Sequence, residues 1–190
     1  MLISSRVEQT EIDSSNLRRA MGRFATGVTI ITAGVGEEIR GMTANSVTSV
    51  SYDPPLILFS VNKTSRMKEF VQEAGRFAIN ILSEEQEQLS RHFASRTPDS
   101  QNLPYGSHFT ELAGIPVLNN TLATLACEVY QMLEAGDHTL VLGKVIRLGY
   151  EEAETDPLLY FRGNYRHLEQ PAEKAFYSLD IGMRVHYEEW

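Results

Sequence analysis

The segment GMTANSVTSVSYDPP, residues 41–55, carries Thr43, Asn45, Ser46, Thr48, Ser49 and Ser51. An ordinary core strand does not hold so many small polar groups, because each one buried without a partner is destabilising. Small side chains let a flat ring approach the backbone, and amides and hydroxyls satisfy the carbonyls and nitrogens of a polar heterocycle. An edge strand with one wet face explains the same composition equally well. One apolar run later, Ser60-Val61-Asn62-Lys63-Thr64-Ser65-Arg66 leads into a helix start. Free N–H groups, the positive end of the helix dipole, hydroxyls and two cations there suit a phosphate. A helix cap with solvated charges is the commoner meaning, and proximity to the polar platform favours the phosphate. His138 follows a Gly136-Asp137 turn, where an imidazole is usually a surface group. Tyr160-Phe161-Arg162-Gly163-Asn164-Tyr165 is either a last edge strand or a stacking wall for an aromatic cofactor.

Other chemistries lack their residues. The chain contains no CxxC, no His/Cys cluster at metal spacing, no GxSxG elbow, no Walker loop and no GxGxxG fingerprint. Its single cysteine, Cys127, lies in an alternating run where a small buried hydrophobe is expected rather than a nucleophile. A redox enzyme with this sequence does not hold its dinucleotide in a Rossmann fold.

The elements that must position these groups are mostly strands. Residues 13–25 form an expected helix, capped by Asp13 or Ser14, with Leu17, Ala20, Met21 and Phe24 on one face that should pack on a sheet. VTIITA at 28–33 and an extended run from Gly41 to Val50 flank the turn-prone GVGEE, as in a hairpin. Asp53-Pro54-Pro55 interrupts the ladder before LILFSV at 56–61. A helix over 64–74, a strand at 76–82, and a helix opened by Ser83 and Gln86 and carrying Leu89 and Phe93 come next. Residues 96–116 read as a long irregular loop. From Thr121 to Leu133 the residues alternate, with Ala123, Leu125, Cys127, Val129 and Leu133 on one face; Thr139–Leu148 returns as the second arm of a long hairpin. Short strands with Gly/Pro punctuation indicate an all-β barrel with peripheral helices. The aromatic tail after Leu168, with Phe176, Tyr177, Tyr187 and Trp190, is expected to dock on its own barrel or on a partner subunit.

With 190 residues the chain fits one domain. A net charge of −8 without a basic cluster disfavours nucleic acid as a partner. No apolar run approaches the ~20 residues of a membrane span, and the N-terminus lacks the pattern of a secretory signal. The lone cysteine suits a cytoplasmic location.

Together the strings LRRAMGRFATGVTIIT (17–32), GMTANSVTSVSYDPP, NKTSRM (62–67), RFAINIL (76–82), GDHTLVLGKV (136–145) and LLYFRGNYRHL (158–168) resemble the flavin reductase-like family, the short reductase components of two-component flavin monooxygenases. The resemblance spans about residues 15–168 and leaves 169–190 as a C-terminal extension of a single domain, 1–190. It implies a six-stranded split β-barrel of the FMN-binding, Greek-key type with a few peripheral α-helices, usually a homodimer. It implies hydride transfer from NADH or NADPH to FMN or FAD, with reduced flavin passed to an oxygenase component. By resemblance, Thr43, Ala44, Asn45 and Ser46 line the flavin, with Asn45 and Ser46 near the ring. Ser60, Val61, Asn62, Lys63, Ser65, Arg66 and Met67 follow the ribityl and phosphate, and His92 and Phe93 complete the site. His138, as the catalytic candidate, and Phe161, Arg162, Gly163 and Tyr165 fall on the nicotinamide side.

Hydride transfer between two stacked rings needs positioning and water exclusion rather than an acid–base dyad, which agrees with the lack of a triad. Two alternatives stand beside this reading. One is a split-barrel protein that holds its flavin tightly as an electron carrier or oxidase. The other is a non-enzymatic module binding flavin or haem.

Overall fold

The structure is a computed structural model and describes residues 10–95, 103–104, 107–152 and 155–169. Its fold is mainly β. The β-branched run after residue 28 forms β2 (Thr29–Val35), preceded by the short β1 (Thr26–Gly27). A turn with Gly36 at φ +58° reverses the chain into β3 (Glu38–Ala44). The run read as one strand from Gly41 to Val50 is in fact two, because Asn45 and Ser46 leave the ladder and β4 (Val47–Tyr52) starts beyond them. Asp53 and Pro54 turn β4 into β5 (Pro55–Asn62), so Pro54 sits at a turn and Pro55 begins a strand.

Helix α2 (Arg66–Ala74) is capped by Ser65 and stopped by Gly75 at φ +65°. β6 (Arg76–Ile81), a single 3-10 turn (Glu84–Gln86) and α3 (Glu87–Phe93) follow. Where a loop is expected, residues 109–118 form a hairpin, β7 (Phe109–Leu112) and β8 (Ile115–Leu118). Its turn has Ala113 and Gly114 at positive φ, and Pro116 is tolerated because this is an isolated two-stranded sheet. The long hairpin is present as β9 (Ala123–Ala135) and β10 (His138–Tyr150), joined by Gly136 and Asp137. β11 (Leu159–Phe161) and β12 (Asn164–Arg166) close the described chain.

The principal sheet has seven strands in the order β3-β2-β6-β9-β10-β5-β4, not six. Its outermost strands, β3 and β4, are consecutive in sequence and linked only by Asn45 and Ser46. In a flat sheet six spacings would separate them by roughly 29 Å, whereas the three Cα steps of that link reach at most ~11 Å. The sheet therefore curves enough to bring the end of β3 near the start of β4, although no ladder joins β3 to β4 among the described residues. Residues of both edges, Ala44 and Val47, pack into one core with Phe59, Val61, Phe77, Cys127 and Val141. Gly143 makes that core possible, since a Cβ there would collide with Phe77 Cζ and lie 2.8 Å from Phe77 Cε1 and 2.9 Å from the Cys127 Cβ. Burial pushes the Cys127 thiol up to about 12.

Two expectations from the hydrophobic pattern are corrected. Leu133 is exposed, because an extra residue at Tyr130 forms a bulge against Leu142 and Gly143 and inverts the alternation beyond it. The N-terminal helix exists as α1 (Ser14–Met21), capped by the Asp13 side chain, yet it buries none of its residues. Leu17, Met21 and nearby Phe24 are 58%, 59% and 69% exposed. The aromatic tail lies outside the described residues.

Candidate active site

β3 delivers its polar residues to a junction of four elements. Ala44 turns into the core, while Asn45 and Ser46 form an exposed link. Ser46 Oγ donates to the Ser60 carbonyl at 3.2 Å, and Ser60 N–H donates to the Ser46 carbonyl at 3.2 Å, which fastens the link to β5. Asn45 Nδ2 donates to Thr26 Oγ1 of β1 at 3.2 Å. Thr43 Oγ1 donates to the Ser90 carbonyl of α3 at 2.6 Å. The polar segment 43–46 is thus anchored from three sides and leaves Asn45 and Ser46 on the surface.

The β5 to α2 corner is built by local capping. Asn62 Oδ1 accepts from Thr64 N–H at 2.9 Å and from Thr64 Oγ1 at 2.7 Å, and Asn62 O accepts from Ser65 N–H at 2.9 Å. Ser65 Oγ accepts from Met67 N–H at 3.2 Å. Arg66, first residue of α2, is exposed and has no ion-pair partner among the described residues. Lys63 does not share that freedom: its Nζ lies 2.7 Å from Glu134 Oε2, and Lys68 Nζ lies 3.4 Å from Glu134 Oε1. The Lys63 hydrogen bond is the main reason that the Glu134 carboxyl titrates below its ordinary range, with Thr139 and Lys68 adding to it.

His138 opens β10 directly opposite Asn62 of β5. Its Nδ1 is 2.8 Å from Asp137 Oδ1, and this hydrogen bond is the leading cause that holds the Asp137 carboxyl below its usual value. Lys63 N–H donates to the Asp137 carbonyl at 3.1 Å. The turn carrying His138 therefore stands beside the 60–66 corner.

The 160–165 segment lies at the other end of the platform. β1 pairs with β11 at Thr26 and Tyr160, and Arg162 and Gly163, at φ +52° and +79°, turn β11 into β12. Tyr165 Oη and Ser90 Oγ are 2.8 Å apart, the Arg91 guanidinium stands 4.7 Å over the Tyr165 ring, and Tyr160 meets Tyr165 edge-on at 5.4 Å. An open cavity of about 380 Å³ is lined by Arg91, Ser95, Tyr160, Asn164 and Tyr165. Arg162 covers the Phe161 ring at 5.1 Å. No hydrogen bond, ion pair or ring contact joins His138 to this hairpin among the described residues.

Four residues expected at the site turn their side chains inward. Ala44, Val61, Met67 and Phe93 are buried core residues. His92 is half-buried, its ring edge-on to Phe93 at 5.1 Å. Thr26, Ser90, Arg91 and Glu134 also touch the candidate site, although the sequence reading did not select them. Ser90 carried a signal, since it is a hydroxyl flanked by the two apolar core residues of α3, Leu89 and Phe93. Among the described residues there is no metal-binding cluster. The thiol is buried away from the junction, so the arrangement offers positioning groups rather than a nucleophile.

Residues 21–169 match the flavin reductase like domain. The chain belongs to this family. An NADH-dependent flavin reductase from Rhodococcus sp is 41% identical over 162 residues, covering 84% of this chain and 89% of the relative. The styrene monooxygenase flavin reductase of Pseudomonas putida superposes with a TM-score of 0.75 at 38% identity, covering 82% of this chain and 99% of that one. The NADH:FAD oxidoreductase of Streptomyces globisporus, solved with NAD and FAD fragments, gives a TM-score of 0.77 at 38% identity over 85% of this chain and 96% of that one. For a member of the flavin reductase family the donor set is apt. An exposed amide and hydroxyl at Asn45 and Ser46 suit ring heteroatoms, and an uncommitted guanidinium at the start of a helix suits a phosphate.

Proposed function

We propose that the chain is an NAD(P)H:flavin oxidoreductase that reduces FMN or FAD and supplies reduced flavin to a partner monooxygenase. The observation that carries this reading is the tied junction of the Asn45–Ser46 link with β5, one turn of chain away from the uncommitted Arg66. A flavin bound there supplies the acceptor for the hydride of a reduced nicotinamide. Asn45 and Ser46 hold the ring by their exposed polar atoms, and the Ser46–Ser60 bonds fix their height over β5. Backbone atoms of residues 60–62 would hold the ribityl chain, and Arg66 at the start of α2 would meet the phosphate. His138 orients the nicotinamide from the hairpin turn, with Asp137 fixing the tautomer in which Nδ1 carries the proton. Tyr160, Tyr165 and Arg162 form the wall at the opposite end.

Support for NADH as donor is the designation of the Rhodococcus relative, and support for an oxygenase recipient is the styrene monooxygenase system of the Pseudomonas putida structure. We read the curved sheet as a split barrel on the strength of the two-residue connection between its edges, and residues 1–190 as one domain with an extension after 169. A homodimer is supported by the apolar surface of α1, and by Tyr52 and Tyr150, which are 78% and 71% exposed on the outer sheet. No described helix is long and apolar enough to cross a membrane, and with a single cysteine the reading is of a cytoplasmic protein. The testing experiment is steady-state oxidation of NADH and NADPH against FMN, FAD and riboflavin. Turnover that requires added flavin supports the reading; a yellow protein without such turnover overturns it.

A further inference from the structure

The corner at the start of α2 contains a carboxylate that a simple phosphate site would exclude. Glu134 approaches from the end of β9 and takes both nearby lysines, Lys63 at 2.7 Å and Lys68 at 3.4 Å, while Thr139 Oγ1 donates to its Oε1 at 3.1 Å. Three partners hold one side chain in a fixed place. Asp137, the neighbouring acid on the hairpin turn, is engaged by His138. Of the three cations on residues 63–68, only Arg66 is left without an acidic partner among the described residues.

We infer that Glu134 is a specificity-determining residue, a built-in counter-anion that competes with the flavin phosphate for Lys63 and Lys68 and so limits how strongly the protein prefers phosphorylated over unphosphorylated flavin. This inference rests on the placement of the phosphate at the 60–66 corner. A phosphate arriving at Arg66 finds the adjacent lysines already neutralised, so it either displaces Glu134 or binds with one cation instead of three. Removing the charge while keeping the shape frees both lysines for the ligand. Glutamine at this position keeps one acceptor oxygen for the Thr139 hydroxyl, while its Nε2 cannot accept from Lys63, so the side-chain shape is kept and that lysine is released.

The test is fluorescence-quenching titration of the full chain with oxidised FMN and with riboflavin, for the parent, Glu134→Gln and Glu134→Ala, with Arg66→Ala as the control for the corner. In both Glu134 variants the FMN dissociation constant should fall by about three- to tenfold, in the range expected for releasing two partly exposed lysines from their pairs, while that of riboflavin stays unchanged. The salt dependence of FMN binding should steepen, since more cations then meet the phosphate. Unchanged or weakened FMN binding in folded Glu134→Gln and Glu134→Ala, or equal tightening of both flavins, overturns the inference. If Arg66→Ala still weakens FMN selectively in that case, the corner assignment survives and only the role of Glu134 fails. If Arg66→Ala is also without selective effect, the corner itself is misplaced.

Discussion

Arg66→Ala isolates the phosphate half of the proposed site. Arg66 is the first residue of α2, exposed, and unlike Lys63 and Lys68 it is not held by Glu134. Its loss breaks no ion pair found among the described residues, so the fold is expected to keep its stability. Alanine is the better helix former, and removing a cation from the positive end of the dipole is also favourable. A charge-assisted hydrogen bond to a phosphate is worth ~1.5–3 kcal/mol. Exposure to solvent puts Arg66 at the lower end, ~1.5 kcal/mol, or about a tenfold rise in the FMN dissociation constant. Riboflavin has no phosphate, and its affinity should not move. Fluorescence titrations with both ligands, alongside a urea melt, measure all three quantities. Equal losses for FMN and riboflavin, or no loss for either, would refute the assignment of this corner to phosphate.

His138→Ala should raise the KM for NADH or lower kcat/KM by about tenfold, equivalent to ~1.4 kcal/mol, with flavin affinity unchanged. Because His138 stands opposite Asn62, a fall in flavin affinity with an unchanged rate of flavin reduction would instead make it part of the flavin corner. Gly143→Ala should destabilise the protein by about 1–3 kcal/mol, since its Cβ meets Phe77 and Cys127 in a closed core; a denaturant midpoint equal to the parent's would contradict the packing. Sedimentation should show a dimer that Leu17→Glu or Phe24→Glu weakens, and a monomeric parent at micromolar concentration would remove the role given to the α1 surface.

Legibility in the sequence followed how local the deciding interaction is. The β9–β10 hairpin was readable because alternation and a Gly136-Asp137 turn lie within its own residues. Leu133 was misread because a bulge at Tyr130 changes the face of every later residue, and nothing in the apolar pattern marks it. The split of 41–50 into β3 and β4 depends on which strands each half pairs with, and those partners, β2 and β5, lie on opposite sides of the sheet order. At the candidate site, Asn45 and Ser46 stand out by their polar types within an extended segment, and Asn62 and Arg66 by their place at a helix start. Glu134 does not, because its pairing with Lys63 arises only when the β9–β10 hairpin lies against β5. The helix expected over residues 13–25 is present at 14–21, but its amphipathic stripe reports only that something apolar covers it, and none of the described residues does.

The central claim is that the Asn45–Ser46 junction holds a flavin for direct hydride transfer from a nicotinamide. Anaerobic rapid mixing of the protein and one equivalent of FMN with NADH, compared with NADH deuterated at C4, tests it most directly. The account predicts loss of the oxidised flavin absorbance in a single protein-dependent phase that slows on deuteration. Flavin that stays oxidised, or is reduced no faster than without the protein, would contradict it.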